Sequence, residues 1–239
     1  MIAQKYFETG FRDHLPPWLG GPDAIERTMT PMLTALKSAV EAYLEESLLD
    51  AEVVFSYKAP EAYYDAAHST LTSLGVQVPM WHQLPAGIRA ARAYGIGGDC
   101  YSPDPDPEQL ILTIDYSRGA LVALMVDEYC SDFKIDRSLY DTRLGTDTLS
   151  EGPEGRQELA TALRWLTRLP LERGNGAKLS YISKVVLLGE SASDTRLREA
   201  LREVLREPYG NPTGSGKRLR AIGIIKSGLS IRPLPPREV

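Results

Sequence analysis

Apolar residues recur along the chain with two different periods, and these periods predict its elements. From Thr28 onward they return every three or four positions, which predicts an amphipathic helix over 29–46. A second helix is predicted from Pro60 to Gly75, because proline favours the first turn of a helix and glycine its end. Three more helices are predicted by the same spacing, over 85–94, over 154–168, and over 193–207 with Ser193 or Asp194 as its cap.

Short apolar, β-branched runs bounded by turn residues predict strands. These runs lie at 51–57, 76–80, 110–115, 120–128, 133–138, 184–189 and 220–231. Strands and helices alternate in the first and last thirds, around a meander in the middle, which predicts an α/β fold with a mixed β-sheet and flanking helices. The Gly- and Pro-rich loop at 95–109 predicts a boundary, with an N-terminal helical and α/β part at 1–98 and a C-terminal lobe at 99–239.

The composition and charge of the chain argue against several classes of function. The 239 residues are 43% hydrophobic and 25% charged, which is ordinary for a globular protein. A net charge of −5 argues against a nucleic-acid partner, because the phosphate backbone requires a basic face. The two cysteines are too few for a disulfide scaffold or a zinc site, and no apolar stretch reaches membrane-spanning length. With no signal region at its start, the chain is expected in the cytoplasm, a reducing compartment.

Four segments carry a more specific signal. The first, VVFSYKAPEAYYDAAHSTLTSLGVQVPMWHQLPAGIRAARAYGIGG, is expected to run strand, helix, strand and connecting helix. The second, LTIDYSRGALVALMVDE, places Asp115 at a strand end before the turn Ser117-Arg118-Gly119. The third is LYDTRLGTDTL, and the fourth is VVLLGESASDTRLREALREVL, a strand, a turn and a helix.

Together these segments resemble, in the same order, the ATPase domain of the seventy-kilodalton heat-shock chaperones. That family shares a superfamily with actin and the sugar kinases. The resemblance extends over residues 30–208 and implies a ribonuclease-H-like, actin-like half-fold. The first phosphate-binding hairpin of the family has no equivalent here, and neither does the peptide-binding domain of the chaperones.

The departures from the family pattern concern the nucleotide chemistry. Asp115 stands where the resemblance implies an aspartate that organises Mg²⁺, but Ser117 and Arg118 replace glycines whose backbone approaches phosphate closely. In the adenosine motif Gly189 is kept, while Glu190 replaces its partner glycine. Phosphoryl transfer depends on charge neutralisation and positioning, so ATP hydrolysis by the family mechanism is not expected.

The resemblance brings several turns around one cleft, which defines candidate residues. The candidate catalytic residues are His82, Asp115, Arg118 and Glu190. The candidate ligand-binding residues are Trp81, Tyr94, Tyr116, Gly119, Tyr140, Asp141, Gly189 and Ser191. An ionic network that also includes Arg143 and Asp194, and that only stabilises adjacent turns, is the alternative. No metal site and no cofactor are expected.

We therefore expect a repurposed scaffold that binds a small, largely apolar organic molecule. As an enzyme it would promote a cyclisation or an isomerisation without a cofactor, by preorganising one conformer. Two alternatives stay open: a relic that binds ATP or ADP with Mg²⁺ without turnover, and an inactive partner of a full-length chaperone. Self-association is a further expectation, because a missing half-sheet should expose apolar surface.

Overall fold

A computed structural model describes residues 22–57, 59–78, 84–98, 108–169, 171–172, 178–179 and 181–206. The candidates Trp81 and His82 and the strand predicted at 220–231 lie outside these residues. The chain divides into two compact units, Met1–Leu84 and Pro85–Val239. The helix that follows Pro85, which the sequence analysis placed in the N-terminal part, therefore belongs to the second unit.

The first unit contains two helices, α1 (Pro22–Leu44) and α2 (Glu61–Ser73). Both were predicted, and α1 begins several residues before the predicted start. They pack through a small apolar cluster that includes Met29, Leu33, Ala67 and Leu71. Beyond this cluster α1 exposes Met32, Leu36 and Tyr43. Such a surface is compatible with self-association, which stays a prediction.

The strand predicted at 51–57 is wrong. Pairing in this region is limited to a single parallel bridge between Asp50 and Gln77, so the strand predicted at 76–80 is likewise reduced to that bridge within the described residues. A strand requires a neighbour along its length, and one bridge does not provide it. The apolar side chains of 51–57 pack on the helices instead: Phe55 meets Tyr63 and Tyr64 edge to face, with ring centroids 6.4 and 4.8 Å away.

The second unit is built on a four-stranded mixed sheet with the order β3-β2-β1-β6. Its strands are β1 (Gln109–Tyr116), β2 (Leu121–Tyr129), β3 (Asp132–Asp141) and β6 (Lys184–Leu188). The first three form an antiparallel meander, and β6 pairs parallel to β1. A separate pair of two-residue strands, β4 (Leu171–Glu172) and β5 (Lys178–Leu179), lies between β3 and β6 in the chain. The predicted α/β class with a mixed sheet and flanking helices is confirmed.

Three helices flank this sheet: α3 (Ala86–Ala93), α4 (Gly152–Leu166) and α5 (Thr195–Arg206). Side chains of α4 and α5 share one core with alternate residues of β1 and β2, among them Leu112, Ile114 and Ala123. The opposite face of β1 meets α3, where a Cβ at Gly87 would overlap the Oγ1 atom of Thr113. Because residues two apart in a strand share a face, Asp115 lies on the α3 side and Tyr116 on the α4 and α5 side.

Two findings concern the expected compartment. Within the described part of the chain, none of the helices has the length and apolar character needed to cross a membrane. Cys130, at the end of β2, is disulfide-bonded. Disulfides are rare in reducing compartments, so this bond stands against the sequence-based expectation, and the cytoplasmic location stays a prediction.

The buried face of α4 should carry a large share of the stability of the second unit. Leu163 is fully buried in the shared core. We expect Leu163→Ala to lower the free energy of unfolding by about 2–5 kcal/mol, through lost burial and a residual cavity. Gln157→Ala, on the exposed side of the same helix, is the control and should change it by less than about 0.5 kcal/mol. Urea unfolding measures both, and equal midpoints for the two variants would contradict the packing of α4.

Candidate functional site

Three turns meet at the carboxyl end of the parallel pair β1 and β6, and backbone hydrogen bonds hold them together. They are the β1–β2 turn, the loop 145–148 and the turn that follows β6. The amides of Thr146 and Asp147 donate to the carbonyls of Ser117 and Arg118 at 3.2 and 3.1 Å. The amide of Ser191 donates to the Tyr116 carbonyl at 3.1 Å. The carboxyl edge of such a parallel pair is where open α/β sheets commonly bind ligands.

Two glycines permit this close approach. Gly189 has a φ of +88°, and a Cβ there would overlap the Tyr116 carbonyl and lie 2.7 Å from the Oδ1 atom of Asp115. At Gly145 a Cβ would overlap the backbone of the β1–β2 turn at Arg118 and Gly119. The candidate Gly119 itself has open space around it. The turns are therefore in contact through backbone where Gly145 and Gly189 stand.

The charged side chains of Arg118, Asp147 and Glu190 are all bonded to other groups of the three turns. The Nε atom of Arg118 lies 3.1 Å from both carboxylate oxygens of Asp147, and both side chains are largely exposed. This carboxylate raises the pKa of the Arg118 guanidinium. The carboxylate of Glu190 accepts the backbone N–H of Arg118 at 2.8 Å. The backbone donor in the middle of the hairpin is thus occupied by an anion that belongs to the protein.

Asp115 differs from the other acids of the region. Its side chain is half-buried beside Gly189, at the end of β1. Among the described residues, Asp147, Glu190, Asp141 and Asp194 all have hydrogen-bonded partners, whereas Asp115 has none. A carboxylate at this edge with both oxygens uncommitted is available to accept a hydrogen bond or a proton from a bound molecule.

Asp141 lies in a different setting from the three turns. It ends β3, and Arg143 donates to it from its backbone N–H at 2.9 Å and from its guanidinium at 3.0 and 2.7 Å. Hydrogen bonding from the Arg143 side chain lowers the pKa of Asp141. Both residues line an open surface cavity of about 670 Å³ beside α4. The lining includes Glu154 and Glu158 but not Asp115, Arg118 or Glu190.

The predicted aromatic walls are not brought together at the turns. Tyr116 is fully buried in the core that β1 shares with α4 and α5, so its ring does not line an open cleft. Burial and the charge of Asp194 raise its pKa to about 12, so it stays neutral at any ordinary pH. Tyr140 and Tyr94 are exposed, on β3 and at the end of α3 respectively. The positions of Trp81 and His82 lie outside the described residues.

Two contacting residues were not among the candidates. Thr146 and Asp147 supply the amides that hold the β1–β2 turn, and the Thr146 hydroxyl lies 3.2 Å from that of the candidate Ser191. The signal for both was present in the segment LYDTRLGTDTL, which contains them. Among the described residues, no group of three His, Cys, Asp or Glu side chains is placed to hold a metal ion.

The helix α5 is fastened to this region by one ion pair. The Asp194 carboxylate accepts the backbone N–H of Arg196 at 2.7 Å, as a helix N-cap does, and pairs with its guanidinium at 2.8 Å. The same guanidinium donates to the Ser150 carbonyl at 3.1 Å. The side-chain hydrogen bond from Arg196 lowers the pKa of Asp194. The pair therefore connects the start of α5 to the loop that leads into α4.

The close approach at Gly189 can be tested with a matched pair of variants. Gly189→Ala should lower the free energy of unfolding by roughly 2–4 kcal/mol, because a Cβ meets the Tyr116 carbonyl at a φ that disfavours it. Gly119→Ala, which adds the same methyl group to open space, should change it by less than about 0.5 kcal/mol. Chemical unfolding compares the two. Equal stability for both variants would show that the turns do not touch at Gly189.

The ion pair at α5 gives a pH prediction. A depressed folded-state pKa means that the ionised Asp194 stabilises the fold above the ordinary carboxyl range, and that this contribution is lost as pH falls through the lowered pKa. Asn is an equally good N-cap, so Asp194→Asn isolates the charge. We expect Asp194→Asn to lower the free energy of unfolding by about 1 kcal/mol at pH 7, and by progressively less as the pH falls below about 4. A deficit that stays constant between pH 7 and pH 3, measured by urea unfolding, would contradict this.

Comparison with known proteins does not assign the chain to a family. No protein-family model matches it, and a search of curated proteins found no match.

Proposed function

We propose that this protein is a remodelled actin-like lobe that does not hydrolyse ATP. In its place we propose that a small, largely apolar organic molecule binds at the carboxyl edge of β1 and β6. One observation carries the proposal: the Glu190 carboxylate accepts the Arg118 backbone N–H at 2.8 Å. An anion of the chain itself thus occupies a donor that a phosphate would need.

The topology supports the choice of fold. An antiparallel meander, β1 to β3, is followed by β6 parallel to β1 and then by the helix α5. This is the order of elements that the resemblance to the chaperone ATPases implies for a ribonuclease-H-like half-fold. The β1–β2 turn and the turn after β6 carry the two degenerate nucleotide motifs, and they are in direct contact.

Electrostatics disfavours a nucleotide phosphate at these turns. Asp115, Asp147 and Glu190 contribute three carboxylates, and Arg118, which is already paired with Asp147, is the cation among them. A phosphate would have to displace Glu190 and then lie near acidic groups, which raises the free energy of the bound state. A neutral molecule meets no such repulsion, so the charge pattern favours an uncharged ligand.

Asp115 is the group that we propose contacts this ligand. Its carboxylate, which has no hydrogen-bonded partner in the described part of the chain, can accept a hydrogen bond from a hydroxyl or amine of the bound molecule, or take a proton from it. A cyclisation or an isomerisation of a preorganised conformer requires little more than one such positioned group, and no cofactor. We propose this reaction class for the protein if it is an enzyme, with Asp115 as its polar contact.

A second candidate function has a specific observation in its favour. The Arg118 guanidinium is exposed, and among the described residues it is bound through a surface ion pair with Asp147, an interaction that contributes little free energy. It is able to leave Asp147 for a phosphate at small cost, which would allow a nucleotide to bind without hydrolysis. In that case Gly189 and Ser191 would adjoin the nucleotide, as the resemblance implies.

Thermal unfolding separates the two candidates. We expect the melting temperature of the protein in millimolar Mg-ATP or Mg-ADP to equal that in Mg²⁺ alone. A ligand at 100 times its Kd would add about 2.7 kcal/mol of stability, which a melt detects readily. Glu190→Gly frees the Arg118 amide, so the melting temperature of this variant should rise when Mg-ADP is added. Glu190→Gln, whose amide oxygen still accepts the Arg118 N–H, is the control and should not.

The ligand itself is sought by mass spectrometry of small molecules that stay bound when the protein is purified from its native extract. We expect an apolar metabolite to be retained by the native protein and largely lost from Asp115→Asn. A melting shift of the native protein with Mg-ATP would replace this proposal with the nucleotide candidate. If nothing is retained and no metabolite of the extract is altered, the small-molecule proposal is overturned while the melting result still stands.

A further inference from the structure

The turn between β2 and β3 is strained, at the end of these strands remote from the three turns. Tyr129 pairs with Asp132, so the turn consists of Cys130 and Ser131. Their φ angles are +59° and +61°, the left-handed values of a two-residue hairpin turn that usually selects Asn and Gly. Each non-glycine residue in this conformation costs free energy and persists only where surrounding contacts impose it.

Contacts of this kind come from the segment that follows α3. Glu128 is buried, and its Oε1 atom accepts the backbone N–H of Gly98 at 2.8 Å and that of Ser131 at 2.9 Å. The Ser131 hydroxyl donates to the Gly98 carbonyl at 3.1 Å. Arg92, at the end of α3, donates to the Ser131 carbonyl at 3.0 Å. We call this set of contacts between 92–98 and 128–131 the clasp.

A covalent bond is added to the clasp at Cys130, which is disulfide-bonded. The other cysteine of the chain is Cys100, two positions after Gly98, and it lies outside the described residues. We propose that the disulfide of Cys130 is a redox-sensitive fastening that, together with Glu128, holds the end of α3 against the β2–β3 turn. This fastening depends neither on the proposed ligand nor on the fold family.

Reduction would weaken this fastening without abolishing the clasp. A dithiol breaks the S–S bond, two protein S–H groups form, and the dithiol becomes a cyclic disulfide. The four hydrogen bonds of the clasp remain, so the segment would be held by polar contacts alone. Since α3 packs on the face of β1 that carries Thr113 and Asp115, looser attachment of its end would reach the floor of the candidate site.

The strain at Cys130 makes a discriminating variant available. Cys130→Gly removes the sulfur, so no disulfide can form. It also relieves the strain of the turn, because glycine adopts a φ of +59° without cost. Without reductant, the native protein should melt roughly 5–10 °C above its reduced form. Cys130→Gly should be insensitive to dithiothreitol, and it should melt at or above the reduced native protein. Hydrogen exchange of the amides of residues 86–98 should quicken on reduction of the native protein only.

Measurements on the native chain decide the proposal even if the variant folds poorly. Thiol titration of denatured protein, purified without reductant, should find no free thiol, and peptide mapping should join Cys130 to Cys100. Two titratable thiols, or a disulfide-linked dimer in non-reducing electrophoresis, would overturn it. So would equal melting temperatures and equal exchange rates at residues 86–98 with and without dithiothreitol.

Discussion

The parallel pairing of β1 with β6 is the constraint on which the candidate site depends. It sets Asp115 beside Leu188 in register, so the turns that follow the two strands begin at the same edge of the sheet. The backbone of Gly189 then comes against the Tyr116 carbonyl, at a distance that leaves no room for a side chain. The contacts between these two turns, from the Ser191 amide to the carboxylate of Glu190, follow from this adjacency.

Much of the second unit could be predicted from the sequence, because its elements bury one face each. Leu159, Leu163 and Leu166 repeat at helical spacing in α4 and lie in the core, and the apolar runs of β1 and β2 are buried almost throughout. The segment 51–57 has the same strand-like composition but lacks a paired neighbour. The pattern of apolar and polar residues predicts which side chains of a segment would be buried. It does not predict whether a partner strand exists.

The meeting of the β1–β2 turn with the turn after β6 was predictable from the sequence, and the pairings of their side chains were not. Motif order brought the β1–β2 turn and the turn after β6 to one place, where Glu190 accepts the Arg118 N–H and Gly189 lies against the Tyr116 carbonyl. The choice of Asp147 as the partner of Arg118 depends on a loop conformation that spacing along the chain does not encode. The same holds for Tyr116: alternation along β1 sends its ring to the core, opposite to Asp115. The motif predicts where the turn lies, while the alternation of side chains along the strand determines that Asp115 and not Tyr116 faces away from the core.

The three turns are held mainly by backbone amides and carbonyls, with glycine where they touch. These backbone contacts do not involve the side chains of Arg118, Ala120 or Glu190, so these three side chains can change while the contacts remain. The backbone shape of the three turns and the chemistry of their side chains can therefore change separately. An edge built in this way can exchange its charged side chains one at a time and keep the same backbone shape at every step, so a new ligand preference needs no new fold.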